Sequence, residues 1–212
     1  MRIGWGLLLS WLPLVSLAQV QVPWRSASST TLVDVLSADP DYTSLIRLLQ
    51  RARLIPTLNK LNGSTLFAPT NDAIKKRSLI DHLWSTTLDH DEVIVNDNVR
   101  ERLRQELFYH LLNYSLSEPP QEPNLLTLKT LHFPCMPNDS PSRDPPPWIP
   151  EPGGTLGGES QRLRMFSANG GSFVGVDAFG KGGAEVVKGL AQAGNGVVFG
   201  LSEVLKVPLD LG

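Results

Sequence analysis

The stretch that decides the fold is Ser64-Thr65-Leu66-Phe67-Ala68-Pro69-Thr70-Asn71-Asp72-Ala73-Ile74, which we call the corner. Its apolar residues, Leu66 to Ala68, predict a short buried strand. Pro69 has no N–H to donate and therefore stops the sheet ladder. Thr70 or Asn71 can cap a helix that starts at once, and the Asp72 carboxylate in its first turn suits the positive end of the helix dipole. The corner thus predicts a strand that leads directly into a capped helix.

The composition on either side of the corner indicates an α+β domain, with helices first and short strands later. Thr30 or Thr31 can cap a first helix. In a second helix, Tyr42, Leu45, Ile46 and Leu49 lie on one apolar face of a 3.6-residue repeat. Fourteen of the 18 glycines fall between residues 153 and 200, which is typical of repeated hairpins.

Further elements are expected along the chain. Residues 75–97 are predicted to be irregular with a short helix. Asn98 or Asp97 is predicted to cap the next helix. Strands are expected at Leu111 to Leu116, Leu125 to Phe133, Arg162 to Ser167, Ser172 to Val176, Ala184 to Val187, Gly196 to Leu201 and Val204 to Val207.

Three blocks of this sequence, in the expected order, resemble those of fasciclin-like domains. The corner resembles the first block, Leu107 to Leu112 is similar to the Tyr-His segment, and Asn195 to Phe199 with Val204 to Pro208 is similar to the closing block. The residues that carry the fold signature are Thr65, Phe67, Pro69, Thr70, Asn71, Asp72, Asn195 and Gly196. The resemblance implies a wedge-shaped β-sandwich of about seven strands with helices packed on one side.

The sequence departs from the family pattern at three positions. Ile74 stands where Phe is commoner, Phe199 stands in place of the frequent His, and Ser202 in place of the frequent Asp. The fold assignment survives these changes. The two changes in the closing block weaken the case for assigning the family's polar interactions to that block of this chain.

The first 18 residues are predicted to be a secretory signal peptide. Arg2 gives a charged start, Trp5 to Leu17 is almost wholly apolar, and Ser16-Leu17-Ala18 forms a small-X-small site. This apolar run is short for a membrane span, so a signal anchor is the weaker alternative. Residues 19–29 are predicted to be a mobile, polar and Ser-rich lead-in. We therefore expect a protein that is secreted to the extracellular space or the cell wall.

Residues 30–208 are expected to form one fasciclin-like domain, with a Pro/Gly-rich insertion at about 117–160 and a tail at 209–212. Eleven of the 17 prolines fall between Pro119 and Pro152, a composition that favours extended or loop conformations. The segment Gly153 to Ser160 is similar to one that follows such an insertion in fungal members of the family. Cys135, the single cysteine, is either a buried thiol or a handle for an intermolecular bond.

Charge and motifs exclude several function classes. Removing Arg2 with the signal peptide leaves 18 Lys and Arg against 21 Asp and Glu, a net charge of about −3, and no basic stripe indicates a nucleic-acid partner. No nucleophile elbow or zinc signature includes the four histidines. Because Asp89-His90-Asp91 are consecutive, their side chains are expected to point in different directions, and Gly180 to Gly183 lacks phosphate-loop spacing. We expect no catalytic residue, metal or cofactor.

Two kinds of candidate site remain. Acceptor sequons begin at Asn62, Asn113 and Asn138, of which Asn62 and Asn138 are the better placed, while Asn113 needs an outward side chain if it lies in a strand. Tyr109 and His110 have a plain structural explanation as amphipathic side chains at a helix end. In animal adhesion relatives the same neighbourhood is implicated in receptor binding, which makes it a candidate adhesion site.

These observations favour a non-enzymatic adhesion or cell-wall/matrix module. Its partner is expected to be a protein, including a second copy of the chain, or a wall or matrix glycan. The alternative is a secreted accessory protein that binds a ligand or polysaccharide. A hydrolase is the weakest of the three hypotheses, because no motif supports it.

Overall fold

The computed structural model describes residues 30–89, 96–116, 124–132, 161–168, 170–177 and 179–207. The predicted signal peptide, the lead-in, Cys135, most of the insertion and the tail lie outside these ranges. The helices are α1 (Leu32–Ala38), a 3-10 turn (Pro40–Tyr42), α2 (Thr43–Arg51), α3 (Ile55–Lys60), α4 (Asn71–Ser78), α5 (His82–Asp89) and α6 (Asp97–Tyr109). The strands are β1 (Ser64–Pro69), β2 (Leu111–Leu112), β3 (Asn124–Lys129), β4 (Arg162–Ala168), β5 (Gly171–Val174), β6 (Ala184–Ala193) and β7 (Gly196–Leu201).

Local sequence explains where the first helices start and stop. Thr31 caps α1 in a capping box, in which the Asp34 carboxylate accepts a hydrogen bond from the Thr31 N–H. Asp39 then ends α1 and caps the 3-10 turn that begins at Pro40. Helix α2 buries the predicted Leu45 and Leu49 together with Leu48, which was not predicted. Of the other predicted residues, Ile46 is only half-buried, and Tyr42 is buried in the preceding 3-10 turn.

The seven strands within the described residues form one sheet in the order β2-β1-β7-β6-β5-β4-β3. Strands β1 and β7 are parallel, and the other neighbours are antiparallel. The two edges approach each other, because Leu112 and Thr130 form an isolated bridge and the Leu131 N–H donates to the Leu111 carbonyl at 2.7 Å. The sandwich is therefore nearly a closed barrel, and the predicted α+β class with about seven strands is confirmed.

The two faces of β1 and β7 belong to two different cores, and both strands are buried throughout, as central parallel strands are. Leu66, Ala68 and Val198 face the helices, where they join a cluster built on α1 to α6. Phe67 and Phe199 face the barrel interior, where they stack with ring centroids 5.9 Å apart. The helices accordingly pack on one side of the sheet, as the fold class requires.

Several predicted element boundaries are wrong. Asn96 caps α6, because its side chain accepts from the Asn98 N–H, and neither Asp97 nor Asn98 is the cap. Strand β2 ends at Leu112 instead of Leu116, and β3 ends at Lys129 instead of Phe133. Residues Val204 to Val207 form no strand, since the Leu205 N–H bonds to a side chain.

Candidate functional site

The corner places its polar side chains where they fix the ends of neighbouring elements. The Thr70 hydroxyl caps α4 by accepting from the Ala73 N–H at 3.3 Å, as the sequence predicts. Thr65, inside the barrel, donates to the Tyr114 carbonyl at 2.7 Å and accepts from the Leu116 N–H at 2.9 Å. Asp72 lies in the first turn of α4 and is exposed. These contacts stabilise the junction of strand and helix and offer no reactive group.

Asn71 ties the corner to the start of α2. Its amide nitrogen donates to the Pro40 carbonyl at 2.9 Å and to the Thr43 hydroxyl at 3.0 Å, and its oxygen accepts from the Ser44 N–H at 2.9 Å. The Ser44 N–H lies in the first turn of α2, where N–H groups have no partner within the helix. Its bond to Asn71 supplies that partner.

Asn195 has the equivalent role at the other end of the sheet. Its oxygen accepts from the Leu32 N–H and its nitrogen donates to the Leu58 carbonyl, both at 2.8 Å. One side chain thus joins the start of α1 and the middle of α3 to the turn before β7. The next residue, Gly196, lies against the β1 backbone so closely that an added Cβ would overlap the Ser64 carbonyl. Sequence reasoning found both asparagines as signature residues but missed their function as clamps.

Tyr109 and His110 end α6 and are buried, with 3% and 1% of their surface exposed. The Tyr109 hydroxyl donates to the Arg162 carbonyl at 3.4 Å, and burial raises the pKa of Tyr109 to about 12. The Tyr109 ring meets the His132 ring edge to face, with centroids 6.1 Å apart. Neither predicted side chain reaches solvent, which favours a structural role over direct contact with a partner.

His110 joins α6 to the segment that follows β7. Its Nδ1 lies 2.9 Å from the Glu106 carbonyl, and its Nε2 accepts from the Leu205 N–H at 3.0 Å. A ring that accepts at Nε2 is neutral and carries its proton on Nδ1. Burial lowers the pKa of His110 to about 4, so the neutral form persists well below pH 6.5.

Two of the three sequons lie on the described surface, close to each other. Asn62 is exposed in the turn before β1, and Asn113 is exposed immediately after β2. The two sequon segments meet, since a Cβ built on Gly63 would lie 3.8 Å from the Ser115 hydroxyl. Asn113 thus has the outward side chain that its sequon requires. Asn138 lies outside the described residues.

A surface ion cluster escaped the sequence analysis because its members are far apart in the chain. Lys188 of β6 lies 2.6 Å from a carboxylate oxygen of Asp39 and 2.6 Å from one of Asp41, and its ammonium sits 5.3 Å from the centre of the Tyr42 ring. The hydrogen bond to Asp39 is the main cause that raises the pKa of Lys188. The cluster borders an open cavity of about 520 Å³ beside Asn71 and Asp72. One ammonium thus bridges two carboxylates and links β6 to the 3-10 turn.

Comparison with known proteins shows which domain this chain resembles. Residues 40–133 match the Fasciclin domain family model. The FAS1 domain-containing protein YLR001C of Saccharomyces cerevisiae is 28% identical over 90 residues, which are 42% of this chain and 10% of the yeast protein. A FAS1 domain pair from the insect cell adhesion molecule Fasciclin I has the same fold, with a TM-score of 0.58 and 15% identity over 87% of this chain and 53% of that chain.

Residues 40–133 thus resemble a fasciclin domain in sequence, and the chain has the FAS1 fold. The family match includes the corner and the Tyr-His segment, while the structural likeness extends over most of the chain. Fasciclin domains are common in adhesion and extracellular-matrix proteins, are often extracellular or surface-associated, and are generally non-catalytic.

Two further observations on the described residues concern metal binding and membrane insertion. No group of three or more His, Cys, Asp or Glu side chains there could hold a metal ion. Among the helices that the structure describes, none is both long enough and apolar enough to cross a membrane. Of the Asp89-His90-Asp91 run, only the backbone of Asp89 falls within the described ranges.

Proposed function

We propose that this fasciclin-domain protein is a secreted, N-glycosylated module that mediates cell adhesion or contact with the cell wall or matrix, without catalytic activity. The observation that carries the proposal is the fasciclin domain itself, recognised in both sequence and fold. Support for secretion comes from the signal-peptide pattern of residues 1–18. The exposed positions of Asn62 and Asn113 support glycosylation.

Bead clustering tests the adhesive part of this proposal. Beads coated with the mature chain from Gln19, made in a glycosylating host, are expected to cluster with one another or to be retained on surfaces coated with wall polysaccharide or matrix protein. Beads that stay dispersed and bind none of these surfaces, while the protein remains folded by circular dichroism, would contradict adhesion.

Sequon variants test the glycosylation part. Asn62→Gln and Asn113→Gln are each expected to remove one glycan, measured as a mass decrease that matches N-glycosidase treatment. Ser115→Thr is the matched control, because it changes the same exposed turn but keeps the acceptor sequence. If both Asn variants kept the same mass of attached glycan as the parent protein, these two sequons would be shown to be unused.

Variants of the Tyr-His segment separate adhesion from folding. Because both side chains are buried, Tyr109→Phe is expected to preserve clustering. Tyr109→Ala is expected to reduce clustering only together with thermal stability. Loss of clustering by a fully stable Tyr109→Phe protein would instead place the adhesion site at this hydroxyl.

A further inference from the structure

A row of mainly apolar side chains crosses the outer face of the sheet. Register places Leu125 of β3 beside Phe166 of β4, Phe166 beside Phe173 of β5, and Phe173 beside Glu185 of β6. Adjacent strands lie about 4.8 Å apart, so this row is about 14 Å long. We call these four residues the aromatic row.

The aromatic row does not serve the core. Along β4, Leu163, Met165 and Ser167 are buried inside the barrel, whereas Phe166 points to the opposite face and is only partly buried. Among the described residues, neither Phe166 nor Phe173 packs against either hydrophobic cluster. An outward sheet face normally carries polar residues, so two neighbouring Phe rings there call for another explanation.

A well-fixed loop forms a wall above the row. The Asp177 carboxylate accepts from the Phe179 N–H at 2.8 Å and from the Lys181 N–H at 2.9 Å, and the Lys181 carbonyl accepts from the Asp177 N–H at 3.0 Å. These bonds hold Gly180 against the Phe166 ring, where a built Cβ would lie 3.2 Å from Cγ. They also leave Phe179 86% exposed.

The loop and the row enclose an open groove of about 490 Å³, within the size range of ligand sites. Phe166 and Phe173 supply apolar lining, four glycines expose backbone, and Glu185 is its charged side chain. An aromatic face is electron-rich and attracts the weakly positive C–H groups of a flat ligand. An ionised carboxylate accepts hydrogen bonds from hydroxyl groups and repels anions.

We propose that this groove binds a neutral oligosaccharide, with the C–H face of a pyranose ring on Phe173 and a ring hydroxyl donating to Glu185. Rings that present apolar C–H faces and hydroxyl edges match both parts of the lining. The inference rests on the proposed function, for which it names a glycan partner and a site. The glycan comes either from a structural polysaccharide or from the N-glycan of another glycoprotein.

Calorimetric titration of the mature full chain with four probes tests the site and separates the two sources. Cellohexaose, laminarihexaose and chitohexaose represent structural polysaccharides, and a free oligomannose glycan represents N-glycans. We expect saturable binding of at least one probe. Phe173→Leu keeps apolar volume but removes the ring face, and is expected to weaken binding by about tenfold.

Two further variants sharpen the result. Glu185→Gln is expected to weaken binding by a few-fold, because it retains an acceptor oxygen but loses the charge that strengthens the hydrogen bond. Val187→Ala is the matched control. Val187 is apolar like Phe173, lies on β6 like Glu185, is half exposed and does not line the groove. Its affinity is expected to equal that of the parent protein.

Absence of saturable binding by all four probes would overturn the proposal. So would unchanged affinity in Phe173→Leu protein that melts at the parent temperature. Bead clustering that persists in either case would leave the adhesive function standing, so failure of the site and failure of the function give different results.

Discussion

At the scale of single residues, buried and half-buried polar side chains in this protein connect elements to one another. His110 bonds the α6 carbonyl of Glu106 and the backbone N–H of Leu205. Asn195 bonds backbone groups of α1 and α3. The family resemblance marks both residues, but a residue type alone does not show which backbone groups it will meet.

The depressed pKa of His110 predicts acid sensitivity. Between about pH 6.5 and 4, the unfolded chain takes up a proton at this residue that the folded chain does not, so the free energy of unfolding falls as the pH decreases. The loss is on the order of 3 kcal/mol, at about 1.4 kcal/mol per pKa unit, and levels off below pH 4. Urea unfolding at several pH values measures it.

His110→Gln should lower stability at neutral pH and flatten this part of the pH dependence. His82→Gln is the control, because His82 is exposed and the contacts that the structure shows for its side chain are all to Thr86. A parent-like pH slope in His110→Gln protein would exclude His110 as the cause.

At the scale of elements, the sequence predicts well where local chemistry decides. Thr31 and Thr70 cap α1 and α4, and Gly196–Leu201 is the strand that was expected. Predictions fail where a distant partner decides. The Leu205 N–H donates to the His110 ring and not to a neighbouring strand. The predicted strand does not continue to Leu116, whose N–H donates to the Thr65 hydroxyl and not to a neighbouring strand.

Asn195→Ala tests the link between the helices and β7. The variant leaves the Leu32 N–H and the Leu58 carbonyl without this partner, so we expect a loss of about 2 kcal/mol in the free energy of unfolding. Hydrogen exchange should increase first in α1 and α3. Asn98→Ala, an exposed asparagine in α6, should change stability by less than about 0.5 kcal/mol. Equal effects of the two substitutions would refute the clamp.

At the scale of the whole molecule, two cores share one pair of strands. The helix core and the barrel core meet at β1 and β7, whose alternate residues face opposite sides. Because neither core has its own sheet, the described domain should unfold as one cooperative unit.

Phe199→Ala tests this coupling from the barrel side. Removing a fully buried ring that stacks on Phe67 should cost about 3–5 kcal/mol. Hydrogen-exchange protection should fall in α2, which contacts only the other core, as well as in β4. Leu79→Ala, at a position 80% exposed, should leave protection unchanged. Protection that falls in β4 alone would show that the two cores unfold separately.

The sequence by itself determined the resemblance to fasciclin domains, the α+β class, the corner and the positions of the sequons, because these depend on local spacing and on residue types that suit one backbone geometry. Only the tertiary structure decided that Tyr109 and His110 are buried, that Lys188 meets Asp39, and that Leu125, Phe166, Phe173 and Glu185 lie in one row. These residues are brought together by strand register and by the closure of the sheet. Both are set by contacts between residues far apart in the chain, which no local pattern encodes.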